Sequence, residues 1–387
     1  MAGAAPIPFG RLSGFYLAYY AALGAFTPFW PLFLKARGFD VAAISVLMSL
    51  WYATRIVAPT TWGWLAGRSA QPVRWLRIGC LLTLLSFVVF LVPLDFLPML
   101  VAMSAFCFFY NAVMPQFESL TLSHLGGRSE QYGRVRVWGS IGFIALVLLL
   151  GVLLEYIPAL WLPALMLPIY GALLASAFAN DYAAEANVPA AARSSGFGER
   201  LRQPEVIAFF VVALLMQMSF GPHYTFFSIY LEEHGYRASS LGIFWGIGVA
   251  TEIAMFFASA RLLRRFGAPA LLGASLLAAS LRWTMTALWP QQAVLLALAQ
   301  VLHALCFAAF FTACMQYLAG FFPGRSNGHA QGVFYGFSSG VGGVLGALCA
   351  GLAWEHGGGR LAFLLAAAIA VAATVIAFIW LRPRRVA

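Results

Sequence analysis

Residues 361–381 read LAFLLAAAIAVAATVIAFIWL, an unbroken apolar run between Arg360 and Arg382 with no charged residue in it. A helix rises 1.5 Å per residue and a bilayer's hydrocarbon core is about 30 Å thick, so roughly 20 such residues cross it. Moving outward from this run, stretches of the same kind recur along the whole chain. Spans are expected at 12–34, 42–66, 74–93, 97–122, 136–156, 159–179, 206–231, 239–261, 268–289, 292–319, 329–353 and 361–382, twelve in all. With 62% hydrophobic and 9% charged residues and a mean hydropathy of +0.85, the chain cannot face water as a globular domain. Pro28, Pro115 and Pro222 fall inside spans, where kinks are expected.

The net charge of +10 raises the question of nucleic acid, but the charges follow the positive-inside rule instead. With both termini in the cytoplasm, 17 basic residues fall on that side, against Lys35, Arg37, Arg237 and Arg360 on the other. That distribution predicts a multi-pass protein of a bacterial inner membrane and argues against a nucleic-acid partner. The first apolar segment lacks a cleavage site and is expected to stay as a span. Cys80, Cys107, Cys306, Cys314 and Cys349 all fall within spans without CxxC spacing, so they read as packing residues, not a disulfide frame or zinc site.

The longest polar connection, 180–205, carries Asp181, Glu185, Arg193, Arg200 and Arg202 and divides the spans six and six. The expected organisation is a first bundle over 1–179, a cytoplasmic linker over 180–205 and a second bundle over 206–387. An offset of 197 lays Phe29 on Phe226, Leu34 on Leu231, Gly38 on Gly235, Ala53 on Ala250, Thr54 on Thr251, Arg128 on Arg325 and Ser129 on Ser326. Such internal symmetry is a feature of transporter folds, whose solute site lies between the repeats. The same offset lays Arg55 on Glu252, opposite charges at equivalent positions.

Charges inside spans are few because each costs about 2.5 to 3.5 kcal/mol at the bilayer centre on insertion scales. Away from the last few residues at the span ends, only Arg55, Arg282, Glu252 and, nearer a membrane face, Glu118 remain. By helical rise, Glu252 sits about 20 Å from the outer end of its span, His303 about 16 Å into its own and Arg282 about 10 Å from an outer end. All three are placed within reach of the midplane. The bland reading makes Glu252 and Arg282 a fixed structural pair and His303 a hydrogen-bonded core residue. The functional reading makes Glu252 a proton carrier, its ionisation balanced between desolvation and a neighbouring Arg, with His303 sharing the proton.

Glu118, with Arg134 and Arg136 close by in sequence, reads as a gate ion pair or a solvated helix-end pair. Asn111, Pro115, Gln116 and Tyr110 offer hydrogen bonds at mid-depth. Trp30, Trp51, Tyr52, Trp245, Phe227 and Trp283 suit stacking against an aromatic solute, although most such residues pack or sit at interfaces.

Catalytic signatures fail on context. Gly336-Phe337-Ser338-Ser339-Gly340 matches G-x-S-x-G, but it lies inside an expected helix, where a nucleophile elbow needs a strand before it. With Gly342, Gly343, Gly346 and Ala350 it reads as close helix packing. No P-loop, HExxH or dinucleotide fingerprint is present, and His124, His223, His234, His303, His329 and His356 lack metal-ligand spacing. No metal, cofactor or enzymatic activity is expected.

Several stretches carry a resemblance: Pro28-Phe29-Trp30-Pro31-Leu32-Phe33-Leu34-Lys35, Ala53-Thr54-Arg55, Tyr132-Gly133-Arg134-Val135-Arg136-Val137-Trp138-Gly139-Ser140, Thr251-Glu252-Ile253, Leu281-Arg282-Trp283 and Leu302-His303. Through them the chain resembles the phenylpropionate permease branch of the major facilitator superfamily, near the lactose permease and nucleoside symporter group. The resemblance implies an all-α membrane fold of twelve helices in two pseudo-symmetric six-helix bundles, alternating access and proton-coupled uptake. It also implies that Glu252, Arg282 and His303 look like the Glu, Arg and His of the lactose permease coupling region. The chain departs where that region has a further acid one turn after the His, since Phe307 stands there and Cys306 before it. The superfamily's loop signature is reduced to Gly63-Trp64-Leu65-Ala66-Gly67-Arg68, with Gly67 in place of the Asp.

The expected function is proton symport of a small aromatic carboxylate, with Arg282 or Arg55 holding the carboxylate and Glu252 the proton. The rivals are a symporter of a neutral sugar or nucleoside, a non-transporting membrane sensor or scaffold, and, least, a membrane hydrolase using Ser338. The partners expected are the solute, protons and the lipid bilayer, with the chain acting as a monomer.

Overall fold

A computed structural model describes residues 7–126, 128–182, 197–324 and 326–381. Glu185 of the linker, and Arg193, Arg325, Arg382, Arg384 and Arg385 among the 17 basic residues expected on the cytoplasmic side, lie outside the described residues. The described chain is helical, and ten stretches are long and apolar enough to cross a membrane. Six form the first half: α1 Phe9–Ala36, α2 Val41–Gly67, α3 Pro72–Leu91, α4 Phe96–Leu125, α5 Tyr132–Leu153 and α6 Ala159–Phe178.

The second half begins with α7, Pro204–Glu233, followed by a continuous stretch Ala238–Leu288 of 51 residues. At 1.5 Å per residue the latter is more than twice a bilayer core, and Gly267 breaks it with φ 78 and ψ 165. It is therefore two crossings, α8 (238–266) and α9 (268–288). After α10, Ala293–Phe321, the 55-residue stretch Ser326–Trp380 is broken in the same way at Gly357 and Gly358, giving α11 (326–356) and α12 (359–380). With those two stretches divided at their glycines, the described residues hold twelve apolar helical segments, and the protein is an integral multi-pass membrane protein.

The repeat is visible in the helix ends. α1 and α7 end at Ala36 and Glu233, α2 and α8 begin at Val41 and Ala238, and α4 and α10 begin at Phe96 and Ala293, each pair separated by the same offset of 197. Gly38 and Gly235, equivalent at that offset, both take the left-handed conformation, with φ 88 and 82. A residue with a Cβ is disfavoured there, so glycine ends the first helix of each half. Thr54 and Thr251 also match, each hydroxyl donating back to the carbonyl four residues earlier, Leu50 and Ile247, at 2.8 and 2.9 Å.

By internal packing the chain forms two units, residues 1–38 with 57–189, and 39–56 with 190–387. The sequence reading puts all of span 42–66 in the first half, whereas residues 41–56 of α2 pack in the second unit. The reason is local: Gly343 and Gly351 have no side chain where the Tyr52 ring and the Ser45 hydroxyl sit. The ends of the linker are tied within their own units. Arg77 lies 3.6 Å from Asp181 and donates to the Asn180 carbonyl at 3.1 Å, while Arg200 donates to the Phe321 carbonyl at 2.7 Å.

In the first unit α1 lies directly on α5, where a Cβ on Gly24 would fall 2.6 Å from the Phe143 carbonyl oxygen and one on Gly142 would strike Leu17. Behind them Phe26, Trp30, Phe87, Phe90, Phe106 and Tyr170 form a fully buried aromatic core. In the second unit α7 and α11 meet through Gly221 and Gly346 with backbone against backbone, and Gly342 lies against the Leu214 carbonyl. Gly24 and Gly221 are again related by the offset. Ser338 is buried in the π-helical turn Tyr335–Gly342, its hydroxyl donating to the Phe334 carbonyl, which fits packing and not an exposed nucleophile.

Candidate functional site

Four helices of the second unit bring polar groups to one place. α9 contributes Arg282, with no solvent exposure at all. Its Nη1 donates to His303 Nδ1 at 2.9 Å, and its Nη2 donates to His223 Nε2 at 3.2 Å and to Gln300 Oε1 at 3.0 Å. The guanidinium carbon also lies 4.3 Å from the Trp283 ring centre and 5.5 Å from that of Phe220. A buried cation without partners would be costly; here three acceptors and two ring faces replace its water.

A guanidinium only donates, so each of its partners must accept. Nδ1 of His303 and Nε2 of His223 therefore carry no proton in this arrangement, and both imidazoles are neutral. The proton of His303 is left on Nε2, which lies 3.4 Å from Glu252 Oε2 on α8. The chain of groups is thus Glu252, His303, Arg282, His223. The expected Glu252–Arg282 pair is corrected to one bridged by an imidazole. Side-chain exposure is 20% for Glu252 and 8% for His303, so the chain of groups is open at its carboxylate end and closed at the cation.

The helices are irregular in their hydrogen bonding beside these groups. α10 is interrupted at Leu302, directly before His303, and runs as a π-helix over Leu305–Ala309, a feature concentrated at functional sites. α7 is interrupted at Phe220, followed by Gly221 and Pro222, directly before His223. Phe307 stacks on the His303 ring at 5.4 Å between centres, so the turn where an acid was missing is filled by an apolar ring.

The other sequence candidates divide between the units. Arg55, Trp51 and Tyr52 lie in the second unit, with the Arg55 guanidinium carbon 5.2 Å from the Trp51 ring centre and 6.0 Å from that of Tyr52. The Tyr52 ring lies 6.5 Å from that of Tyr224, whose hydroxyl is within electrostatic reach of Glu252, Arg282 and Arg55. Trp245 and Trp283 flank His223 at 4.5 and 5.6 Å and donate to Ser228 and Ser219. Arg55 is half-buried where Arg282 is sealed, so of the two guanidiniums considered for a solute carboxylate, Arg55 is the accessible one.

Trp30 and Asn111 belong to the first unit. Trp30 is corrected to a core residue: it is fully buried, packs on Phe26, Phe33, Phe87 and Phe90, and donates to Met103 Sδ. Asn111 is buried on α4. The gate ion pair is corrected in its partners. Glu118 accepts from the Tyr132 hydroxyl at 3.3 Å, Arg136 lies over the Tyr20 ring at 4.0 Å, and Arg134 turns away to Gln131 at 3.0 Å. Glu118 and Arg136 interact through space rather than in contact.

His223 and Gln300 were not singled out from sequence. A signal for them exists in the repeat. The offset of 197 lays His223 on Phe26, Gln300 on Met103 and His303 on Phe106. In the first unit those three are core, with Phe26 and Phe106 at 5.3 Å. One apolar layer of the first half is polar throughout in the second.

A repeated helical membrane fold with a charged cluster buried in one half fits a secondary transporter. The chain belongs to the MFS_1 like family, whose profile matches residues 9–365. It is 28% identical over 313 residues to the "Probable 3-phenylpropionic acid transporter" of Escherichia coli (strain K12), covering 79% of this chain and 80% of that one. It is 27% identical over 274 residues to the maltose permease of Geobacillus stearothermophilus, covering 70% and 68%. The crystal structure of the nucleoside transporter NupG superposes with a TM-score of 0.85 over 97% of this chain and 99% of that one, at 16% identity, a likeness of fold.

Proposed function

We propose that this transporter is a proton symporter that imports a small aromatic carboxylate, of the 3-phenylpropionate kind, across a bacterial inner membrane with both termini in the cytoplasm. The observation that carries the reading is the continuous chain from the partly exposed Glu252 through His303 to the enclosed Arg282. A carboxylate linked to a buried cation through a titratable ring gives a proton a seat whose occupancy is tied to the state of the cluster. Arg55 is the cation that meets the solute carboxylate, where a guanidinium makes two parallel hydrogen bonds, and Trp51 and Tyr52 beside it supply ring faces. The phenylpropionate transporter among its relatives supports the solute class. The chain works as a monomer.

One proton carried with one monocarboxylate moves no net charge, so membrane potential, worth about 2.3 kcal/mol per charge per 100 mV, drives the cycle hardly at all. The test is uptake of labelled phenylpropionate into proteoliposomes under an imposed pH gradient. Wild type accumulates it; Glu252→Gln exchanges it across the membrane without accumulating it. Active protein that takes up no aromatic acid would overturn the solute assignment. The maltose permease relative favours a second reading, symport of a neutral sugar, which predicts uptake driven by potential alone.

A further inference from the structure

The guanidinium of Arg282 is held between two imidazoles, and only His303 of the two contacts Glu252. His223 sits on the other side, 2% exposed, with Nε2 accepting from Arg282 at 3.2 Å. Its proton is therefore on Nδ1, and that atom is buried with no hydrogen-bond partner among the described residues. Nothing but Arg282 fixes the tautomer of this ring. Gln300 shows the same pattern: its carbonyl accepts from Arg282 and its amide nitrogen is buried without a partner. Buried donors are normally satisfied, so the layer is arranged around the cation and not around its own hydrogen bonds.

We infer that His223 is a second proton acceptor of this centre and that its protonation releases Arg282. The inference rests on the proton-symport reading above. Four observations carry it. Nε2 is a seat that Arg282 fills. One turn after His303 on α10, Phe307 packs on the His303 ring and offers no group that titrates. His223 follows directly on the interruption of α7 at Phe220, where Pro222 has no N–H to give the helix, so it stands where that helix can change course. The equivalent residue of the first half is Phe26, which cannot titrate.

The step balances simply. The Nη2–H···Nε2 hydrogen bond breaks, a proton delivered by water bonds to Nε2, and the imidazole becomes an imidazolium. The guanidinium keeps its own protons and is repelled by the new like charge. Arg282 in place excludes the proton, and the proton in place excludes Arg282, so each equilibrium biases the other by the same factor. The titratable and charged groups around His223 are Arg282 on α9, His303 and Cys306 on α10, Tyr224 on α7 itself, and Glu252 on α8 through His303. From α12 the residue at hand is Phe363, which is apolar.

The test is His223→Gln, whose side-chain carbonyl accepts from Arg282 but does not titrate, measured in two ways. In proteoliposomes, the ratio of accumulation under a pH gradient to solute counterflow should fall at least about tenfold from wild type, the weight of one pKa unit, and accumulation should lose its pH profile. In purified protein, acidification should quench tryptophan fluorescence in a step that the variant lacks, because an imidazolium 4.5 Å from Trp245 quenches it and an amide does not. Gradient-driven uptake with the wild-type pH profile in the variant, or an unchanged quenching step, would overturn the inference. If the variant neither exchanges nor accumulates solute, the quenching step decides: its loss supports His223 as the acceptor, its persistence refutes it. If wild type itself ignores the pH gradient, the symport reading falls, and the same step still decides the titration of His223.

Discussion

Arg282 Nη1 donates to His303 Nδ1 at 2.9 Å, and this one contact dictates which nitrogen of His303 faces Glu252. Because the acceptor is Nδ1, an amide oxygen at that depth replaces it best. His303→Asn should keep the Arg282 contact, fold normally and exchange solute, yet lose gradient-driven accumulation because the link to Glu252 is gone. His303→Leu leaves a buried donor unpaired and should lower stability by about 1 to 3 kcal/mol. Thermal unfolding in detergent, with the two variants side by side, separates these outcomes; equal destabilisation by both would deny the tautomer.

Arg282→Lys should behave as a loss of function rather than a conservative change. An ammonium is a point charge on a flexible stem, whereas His303, His223 and Gln300 are reached here by two nitrogens of one rigid plane. Both exchange and net uptake should fall at least about tenfold, the equivalent of 1.4 kcal/mol. Lysine restoring transport to near wild type would show that charge alone suffices.

Arg55 offers a test of the solute class that Arg282 cannot, since it is only half-buried. Arg55→Gln should raise the apparent KM for an aromatic carboxylate by about tenfold or more, the range of a charge-assisted hydrogen bond of 1.5 to 3 kcal/mol. The KM for the matching neutral amide should barely change. Competition of acid and amide against labelled solute measures this directly, and an equal loss for both would remove Arg55 from carboxylate binding.

Most of the helices were legible because each must bury its backbone polar groups and present apolar side chains to lipid over some 20 residues. The repeat was legible too, and the left-handed Gly38 and Gly235 show what the constant offset means physically. Of the site, Glu252, Arg282 and His303 stood out because ionisable groups are rare in spans. His223 and Gln300 did not, since a neutral imidazole or amide costs less there and many such residues merely pack. Trp30 failed as a candidate for the opposite reason: composition cannot distinguish an aromatic ring facing a cavity from one enclosed by Phe26, Phe33, Phe87 and Phe90. The course of α2 could not be read either, because it depends on which glycines of α11 leave room for Tyr52 and Ser45.

The contact of α7 with α11 supports the centre from behind, since Gly221 lies two residues before His223 and directly on Gly346. A methyl group at Gly221 or Gly346 meets backbone, which has nowhere to go, so each change to alanine should force the helices apart. The expected cost is about 1 to 3 kcal/mol, the usual range for overpacking. Gly171→Ala is the control: it lies within α6 with nothing near its would-be Cβ, and alanine there should be neutral or stabilising by up to about 1 kcal/mol. Unfolding temperatures of the three variants in one detergent give the comparison. If Gly221→Ala melts with wild type yet loses gradient-driven uptake, the close approach serves the placement of His223 more than the stability of the bundle. If it melts lower and transports normally at low temperature, the contact is structural.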